Sequence, residues 1–216
     1  MKEYNIDNLG VIHQIDPKEF SYDKKYIEEY DEFKVLTDKM GHLRLGYLIG
    51  AIGKTPGNLI DFGYGNGSFL EATRDFGIKS FGTDISGYKI PDRCTFVESE
   101  RIYNEHYDVF CFFDSLEHVK DLGFIKNLKT DYIYISLPWC HYHKMGEEWF
   151  MNWKHRKPNE HLHHFDKDSL VGFFNSHGYA LIGHSNIEDV IRKPVDDLPN
   201  ILTAIFKKNK EKNNGI

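Results

Sequence analysis

The sequence predicts an α/β fold with a doubly wound, mostly parallel sheet of seven strands. A short apolar run at residues 58–62 leads into a glycine-rich turn, as expected where a buried parallel strand feeds a helix. Further short apolar runs then alternate with helical patterns, which is typical of a sheet covered by helices on both faces. With 216 residues, the chain is long enough for one domain with a sizeable core.

The first 56 residues predict a helical cap ahead of the sheet. No clear periodicity marks residues 1–17, which we expect to be extended. Apolar residues recur every three or four positions through residues 20–52, as in an amphipathic helix packed on the edge of the sheet. Gly41 predicts a break between two helices, and residues 53–57 predict a turn into the first strand.

The turn after the first strand carries an acid and three alternating glycines. Glycine adopts positive φ and lets bare backbone approach a ligand. A helix predicted at residues 68–76 presents the free N–H groups of its first turn to the same place. The turn therefore predicts a site for a nucleotide-like ligand, and its pattern D-x-G-x-G-x-G is formed by Asp61, Gly63, Gly65 and Gly67.

A second acid follows the second predicted strand, at residues 78–81. Asp84 lies about 20 residues after the glycines, the distance at which such an acid reaches ribose hydroxyls. The dinucleotide-binding fingerprint G-x-G-x-x-G differs from the pattern found here. An acid two residues before the first glycine repels phosphate, so Asp61 favours an ammonium group or an amino acid bound through water.

These residues resemble motif I of the class I S-adenosylmethionine-dependent methyltransferases, which have a Rossmann-like sheet. The resemblance implies that Asp61 and the three glycines contact the methionine part of the donor, and that Asp84 and Ile85 lie at its ribose. It further implies an adenine contact after a third strand at residues 94–97, and a contribution from the helical cap. The residues concerned are Glu98 and Ser99 for adenine, and Tyr22, Tyr26 and Arg44 in the cap; for the last three, packing or exposure is the alternative.

A fourth strand is predicted at residues 107–113, apolar on both faces and therefore central. It is followed by Asp114, Glu117 and His118. This run resembles the motif after the fourth strand in small-molecule methyltransferases of ubiquinone, sugar and natural-product pathways. Ligands of open α/β sheets bind beyond the carboxyl ends of strands. We therefore expect Asp114 near the donor, and Glu117 and His118 facing the same crevice.

Three roles stay open for this motif. In a structural role, the acid caps a helix and the histidine bonds to backbone. In a catalytic role, His118 is a general base, since histidine titrates near neutral pH. In a third role, Asp114, Glu117 and His118 bind a divalent metal, as some relatives in the ubiquinone pathway do at the matching residues; their i, i+3, i+4 spacing can share one helical face. We expect no metal and keep this set as the alternative.

The remaining elements complete the sheet. A fifth strand is predicted at residues 131–137, a helix at 166–177 with Asp166 as its N-cap, a sixth strand at 179–183 and a last strand at 201–207. The donor-binding core is thus predicted to span residues 57–207. A short basic tail at residues 208–216 follows it.

The connection at residues 138–165 predicts a lid over the acceptor. It holds all three tryptophans and many of the twelve histidines, and it is too long and too aromatic for a simple link. No cysteine pair accompanies these histidines, so a structural zinc site is not expected. The resemblance implies that a histidine just before Phe165 points into the pocket as the base. We rank His161 first, ahead of His163 and His164.

The composition limits the classes of binding partner and the cellular compartment that we expect for this protein. The net charge is −6, with both signs scattered, which argues against a nucleic-acid-binding face. No apolar run is long enough to span a bilayer, and no signal peptide is evident. The three cysteines show no C-x-x-C spacing, which favours a reduced, cytoplasmic protein.

The resemblance implies S-adenosyl-L-methionine as the cofactor and a small molecule as the methyl acceptor. The reaction expected from it is O-methylation of a sugar, a sugar nucleotide or another secondary metabolite. Two alternatives stay open. One is a methyltransferase acting on protein or tRNA, and the other is a non-catalytic partner subunit that binds S-adenosylmethionine.

Overall fold

The computed structural model of the chain describes residues 2–20, 34–194 and 197–210. Its strands are β1 (Tyr4–Ile6), β2 (Ile12–Gln14), β3 (Asn58–Phe62), β4 (Lys79–Thr83), β5 (Thr95–Phe96), β6 (Tyr107–Phe113), β7 (Thr130–Pro138), β8 (His163–His164), β9 (Tyr179–Ser185) and β10 (Ile201–Lys208). Its helices are α1 (Lys34–Ile52), α2 (Ser68–Asp75), α3 (Tyr142–Asn152), α4 (Lys167–Ser176) and α5 (Asp189–Arg192).

Seven strands form one sheet in the order β5-β4-β3-β6-β7-β10-β9. The pairs from β5 to β7 are parallel, and β10 pairs antiparallel with both of its neighbours. The predicted seven-stranded, mostly parallel sheet is therefore confirmed. Because the parallel strands end at the same edge, the turns after β3, β4 and β6 lie side by side there.

The central strands are buried on both faces. In β6 every residue is buried except Asp108, and in β7 every residue is buried except Asp131. Apolar side chains on the two faces form separate clusters, one with Phe110, Phe112 and Ile133, the other with Val109 and Tyr134. Such continuous apolar runs are what a parallel strand between two helical layers requires, so the sheet holds the strand ends rigidly in place.

Helix α1 runs unbroken through Gly41, so the predicted break at this residue is wrong. A Cβ at Gly41 would lie only 2.7 Å from the backbone oxygen of Ser68. The glycine thus serves close packing of α1 against the start of α2 rather than a turn. This contact fixes α1, which carries Arg44, beside the glycine loop.

Residues 4–14 form a β-hairpin, where the sequence predicts an extended segment within a helical cap. The Asp7 carboxylate accepts backbone hydrogen bonds from Leu9 and Val11, both at 2.9 Å, which stabilises the turn. Strand β2 also pairs with β8, which makes a second, three-stranded antiparallel sheet. The described part of the predicted cap is therefore a hairpin followed by α1, and residues 21–33 lie outside the described residues.

Other element boundaries differ by a few residues from those predicted. Strand β5 has only two residues, and residues 138–165 contain α3, whose helical geometry is interrupted at Gly146. Asp166 is the N-cap of α4: it accepts a 2.7 Å hydrogen bond from the Ser169 N–H within a full capping box. Among the described helices, none has both the length and the apolar character needed to cross a bilayer.

Candidate active site

The glycine loop joins β3 to α2 with left-handed backbone at all three glycines. The φ angles of Gly63, Gly65 and Gly67 are +79°, +52° and +79°. A Cβ at Gly63 would lie 2.9 Å from the Ser115 Cβ, and one at Gly67 would overlap Pro91. Gly65 instead faces open space. Glycine is thus required by packing at two positions and by backbone conformation at all three.

Asp84, just after β4, holds this loop in place. One of its carboxylate oxygens accepts a 2.8 Å hydrogen bond from the Gly65 N–H, and the other accepts a 2.6 Å hydrogen bond from the Ser86 N–H. The carboxylate also lines a cavity of about 260 Å³. Asp84 therefore both orders the glycine turn and presents acceptor atoms to a ligand.

Asp61, at the end of β3, is only 2% exposed. Its Oδ1 atom has no hydrogen-bond partner among the described residues. Burial raises the pKa of Asp61 to about 7, while Arg44 opposes this shift and Asp84 adds to it. A cationic group placed beside this carboxyl would restore its ionised form.

Two cavities form one cleft along the carboxyl edge of the sheet. The first, of about 260 Å³, is lined by Asp84, Ile85 and Ser99. The second, of about 340 Å³, is lined by Arg44 and Asp61. The two cavities meet at the glycine loop, because they share four lining residues. These residues are Gly63, Gly65, Phe113 and Asp114.

The cleft brings together most of the described residues predicted to contact the donor, but Gly67 does not line either cavity. Glu98 is exposed and does not line either cavity. Tyr22 and Tyr26 lie outside the described residues. Ser99, in contrast, lines the first cavity and its hydroxyl lies 3.2 Å from that of Thr83.

Arg44 and Asp114 belong to a buried ion-pair network in the second cavity. Arg44 makes two hydrogen bonds to the Glu188 carboxylate, at 2.7 and 2.9 Å, and stacks 4.1 Å from the centroid of the Phe113 ring. Arg192 donates two hydrogen bonds to Asp114. Arg44 is thus neither exposed nor an unengaged cation, which rules out the exposed alternative.

Arg192 determines the charge state of Asp114. Burial alone would raise the pKa of Asp114, but the Arg192 guanidinium, aided by Arg44, holds it well below its usual range. Asp114 also has φ of +49°, a strained conformation for a residue with a side chain. Its carboxylate is therefore committed to an ion pair at the junction of the two cavities.

Sequence reasoning missed Glu188 and Arg192. Glu188 immediately precedes the short helix α5 and Arg192 ends it, more than 70 residues after Asp114, and no local sequence motif identifies them. The only signal was a pair of opposite charges spaced i, i+4, which is common on solvated helices.

On the other side of the first cavity lies a cluster of Glu117, His118 and His161. Their ligand atoms all lie within 4.8 Å of one another. Glu117 and His118 come from the 3-10 turn after β6, and His161 from the segment before β8. The Leu162 N–H donates a 2.8 Å hydrogen bond to the Glu117 backbone oxygen, which joins the two segments.

His118 lines the first cavity, whereas His161 lies behind it. The two rings meet edge to face, with centroids 4.7 Å apart. Burial lowers the pKa of both, for His161 to about 2. Both imidazoles are therefore neutral at pH 7, and His118 rather than the first-ranked His161 is the one that faces the cleft.

Glu117 is the most unusual member of the cluster. It is 2% exposed, and neither carboxylate oxygen has a hydrogen-bond partner within the described part of the chain. Burial, reinforced by Asp114, raises the pKa of Glu117 well above its usual value. A carboxyl group buried without partners costs stability.

The neighbouring histidines have mainly structural contacts. His163 Nε2 lies 2.8 Å from the Val119 oxygen, and its Nδ1 lies 2.8 Å from His13 Nδ1; His13 in turn lies 3.2 Å from Asp7. These contacts connect the hairpin of residues 4–14 to the lid. His163 and His164 are thus poorer candidates for a base than His118, since neither lines the described cavities.

The sheet order, the single antiparallel strand β10 and the glycine loop beside two carboxylates define a class I S-adenosylmethionine-dependent methyltransferase. The methyltransferase domain family matches residues 38–184, more than half of the sequence, and the chain belongs to this family. A sequence search of curated proteins finds no match.

Solved structures agree with this fold. The 1,6-didemethyltoxoflavin-N1-methyltransferase of Burkholderia thailandensis, with its substrate and S-adenosylhomocysteine bound, is 13% identical at a TM-score of 0.56; the match covers 96% of this chain and 100% of that chain. Magnesium protoporphyrin IX methyltransferase of Synechocystis is 13% identical at a TM-score of 0.55, and the match covers 89% of this chain and 90% of that chain. A glycopeptide N-methyltransferase is 12% identical at a TM-score of 0.54, and the match covers 78% of this chain and 90% of that chain.

Proposed function

We propose that this methyltransferase transfers the methyl group of S-adenosylmethionine to a hydroxyl group of a small molecule. One observation carries the proposal: Asp84 and His118 line the same cavity of about 260 Å³. An acid suited to the donor's ribose and an imidazole suited to an acceptor thus share one chamber. Positioning donor and acceptor in line supplies much of the acceleration in such a displacement.

In the proposed binding mode, the donor lies along the cleft of the two cavities. Asp84, Ile85 and Ser99 contact the nucleoside, and the glycine loop contacts the methionine part. Asp61 and Arg44 supply the charges at that end, since Asp61 can pair with the donor ammonium and Arg44 lines the same cavity. In this binding mode, one elongated S-adenosylmethionine molecule occupies both cavities.

The reaction would run between the two ends of this chamber. The acceptor oxygen forms a bond to the methyl carbon as the carbon–sulfur bond breaks, and sulfur keeps the electron pair of that bond. The hydroxyl proton leaves at the cluster of Glu117, His118 and His161. A neutral amine is nucleophilic enough to attack before it loses a proton, whereas a neutral hydroxyl is a weak nucleophile and gains from proton removal during attack; the cluster thus favours an oxygen acceptor.

A small acceptor is supported by the size of the cavity, about 260 Å³, and by the charge of the protein. The net charge of −6 argues against a basic surface for RNA. The 1,6-didemethyltoxoflavin-N1-methyltransferase, whose full length this chain matches in fold, binds 1,6-didemethyltoxoflavin, a small molecule that it methylates at nitrogen according to its name. We propose that residues 138–165 shape the acceptor side and that residues 57–207 form the donor-binding core.

The test is to incubate the purified protein with S-adenosylmethionine carrying a labelled methyl group and a metabolite extract. Label in a low-molecular-weight product with an O-methyl group supports the proposal. Label in protein or RNA contradicts the small-molecule acceptor, and an N-methyl product contradicts the hydroxyl acceptor. Binding of the donor without any transfer would point to a non-catalytic subunit.

A further inference from the structure

The cluster of Glu117, His118 and His161 has a donor set that suits a metal ion. It offers one carboxylate oxygen and two imidazole nitrogens within 4.8 Å of one another. First-row divalent cations such as Zn²⁺, Mn²⁺ and Co²⁺ accept this mixture of nitrogen and oxygen ligands. The ligand atoms come from two segments already joined by the hydrogen bond from the Leu162 N–H to the Glu117 oxygen.

The carboxyl group of Glu117 is an independent sign of a ligand. It is almost fully buried, it points into the cluster, and both of its oxygens lack a hydrogen-bond partner among the residues that the structure describes. Protein interiors satisfy nearly all buried polar atoms, so a doubly unsatisfied carboxyl needs an explanation. A cation would supply the missing partner and the compensating charge.

We propose that Glu117, His118 and His161 bind a divalent transition-metal cation that holds the acceptor oxygen during methyl transfer. Three protein ligands leave room for water or a substrate oxygen on a catalytic cation. Because His118 lines the cavity of the donor, that remaining position is next to the proposed acceptor. The binding of the cation is independent of the proposed function, but its role toward the acceptor rests on it.

This ligand set differs from the alternative set predicted from sequence spacing. Asp114 is committed to its ion pair with Arg192, so its carboxylate is not available to the cluster. His161 takes its place from a distant part of the chain. Asp114 contributes instead through its negative charge, which would favour a cation nearby.

With a cation in place, His118 is a ligand and not the proton acceptor. A cation lowers the pKa of a bound hydroxyl, so the proton can leave to water in the cavity. The oxygen then forms its bond to the methyl carbon, and the electron pair of the broken carbon–sulfur bond stays on sulfur. The charges balance, because the sulfonium becomes a neutral thioether.

The binding test uses the full chain, freed of metal with EDTA and desalted, and titrated with Zn²⁺ by calorimetry. One Zn²⁺ per chain is expected, and Co²⁺ should give the visible absorption bands of a cation with nitrogen ligands. Glu117→Gln and His161→Gln should each weaken Zn²⁺ binding by at least about 100-fold, since loss of even an outer-shell partner costs roughly 10- to 100-fold.

His177→Gln is the matched control, because His177 is a half-buried histidine bonded to the Phe173 oxygen, at the end of α4. It should bind Zn²⁺ like the wild-type protein. Glu117→Gln should remain folded by circular dichroism, since it replaces a buried carboxyl with an amide of the same shape. Wild-type protein that takes up no Zn²⁺, or equal uptake by Glu117→Gln, would overturn the site.

Failure of this inference is distinguishable from failure of the proposed function. Methyl transfer that is unaffected by EDTA, with no Zn²⁺ bound, would support the proposed function and contradict the cation site. Zn²⁺ binding that depends on Glu117, without transfer to any hydroxyl, would support the cation site and contradict its role in O-methylation.

Discussion

The two ends of the cleft are built in different ways. The donor end comes mainly from one continuous stretch, residues 58–86, in which the Asp84 carboxylate accepts hydrogen bonds from the N–H groups of Gly65 and Ser86. The acceptor end is assembled from residues near 10, 118 and 161 and contains the unsatisfied Glu117. Both ends thus contain a buried carboxyl atom without a hydrogen-bond partner among the described residues, but the donor end is ordered by local contacts, whereas the acceptor end depends on contacts between distant segments.

The largest expected effect is at the donor end. Asp84→Ala removes the proposed ribose contact and the anchor of the Gly65 N–H, so S-adenosylmethionine binding should weaken by at least about 100-fold, the worth of two hydrogen bonds to a charged group. Isothermal titration calorimetry measures this. Asp92→Ala, which removes an exposed carboxylate paired with Lys89, should bind normally. Unchanged affinity in Asp84→Ala would contradict the donor site.

The next prediction tests whether the donor end and the acceptor end act independently. His118→Gln removes the cavity-facing member of the acceptor cluster, so kcat should fall by about 100-fold or more while donor affinity changes little. Steady-state kinetics with the acceptor from the labelling experiment, together with calorimetry of the donor, measure both. A parallel loss of donor affinity would show that the two ends do not work separately.

A smaller effect concerns the packing of α1 beside the donor end. Gly41→Ala places a methyl group 2.7 Å from the Ser68 oxygen and should lower the free energy of unfolding by about 2 kcal/mol. Gly50→Ala, where nothing lies within 4 Å of the new methyl group, should instead stabilise the helix by up to about 1 kcal/mol. Urea unfolding of both variants measures the difference, and equal stability would contradict the close helix packing.

The smallest effect is the pH dependence of stability, which the acceptor end should dominate. Burial lowers the pKa of His161, His163 and His164 to about 2, 4 and 3, from an ordinary 6.5. Between pH 6.5 and 5 these histidines take up protons only on unfolding, so acidification destabilises the fold. The raised pKa values of Asp61 and Glu117 oppose this, because those carboxyls bind protons in the folded state.

Burial also lowers the pKa of His155, to about 4, and that of His118, so the buried histidines outnumber the two carboxyls and proton uptake on unfolding prevails. Urea unfolding at pH 6.5 and pH 5 should therefore show lower stability at pH 5, and His164→Gln should reduce that difference. Greater stability at pH 5 would mean that the carboxyls outweigh the histidines.

The same contrast explains what could be predicted from the sequence. Strand β3, the glycine loop, Asp84 and the N-cap Asp166 were predicted because short-range backbone geometry places them. The continuity of α1 at Gly41 and the pairing of Asp114 with Arg192 depend on contacts between distant segments, which no local pattern encodes. For the same reason, the sequence could not show that His118, and not His161, lines the cavity.

The small sheet of β1, β2 and β8 ties the acceptor end to residues 4–14. His13 and His163, whose rings share a hydrogen bond, stand 150 positions apart along the chain. Closing so long a loop is slow, so β8 should join its partners after the seven-stranded sheet has formed. We therefore expect the donor end to form first during folding. Damage to the hairpin is expected to spare binding of the methyl donor and to disturb the proposed acceptor side.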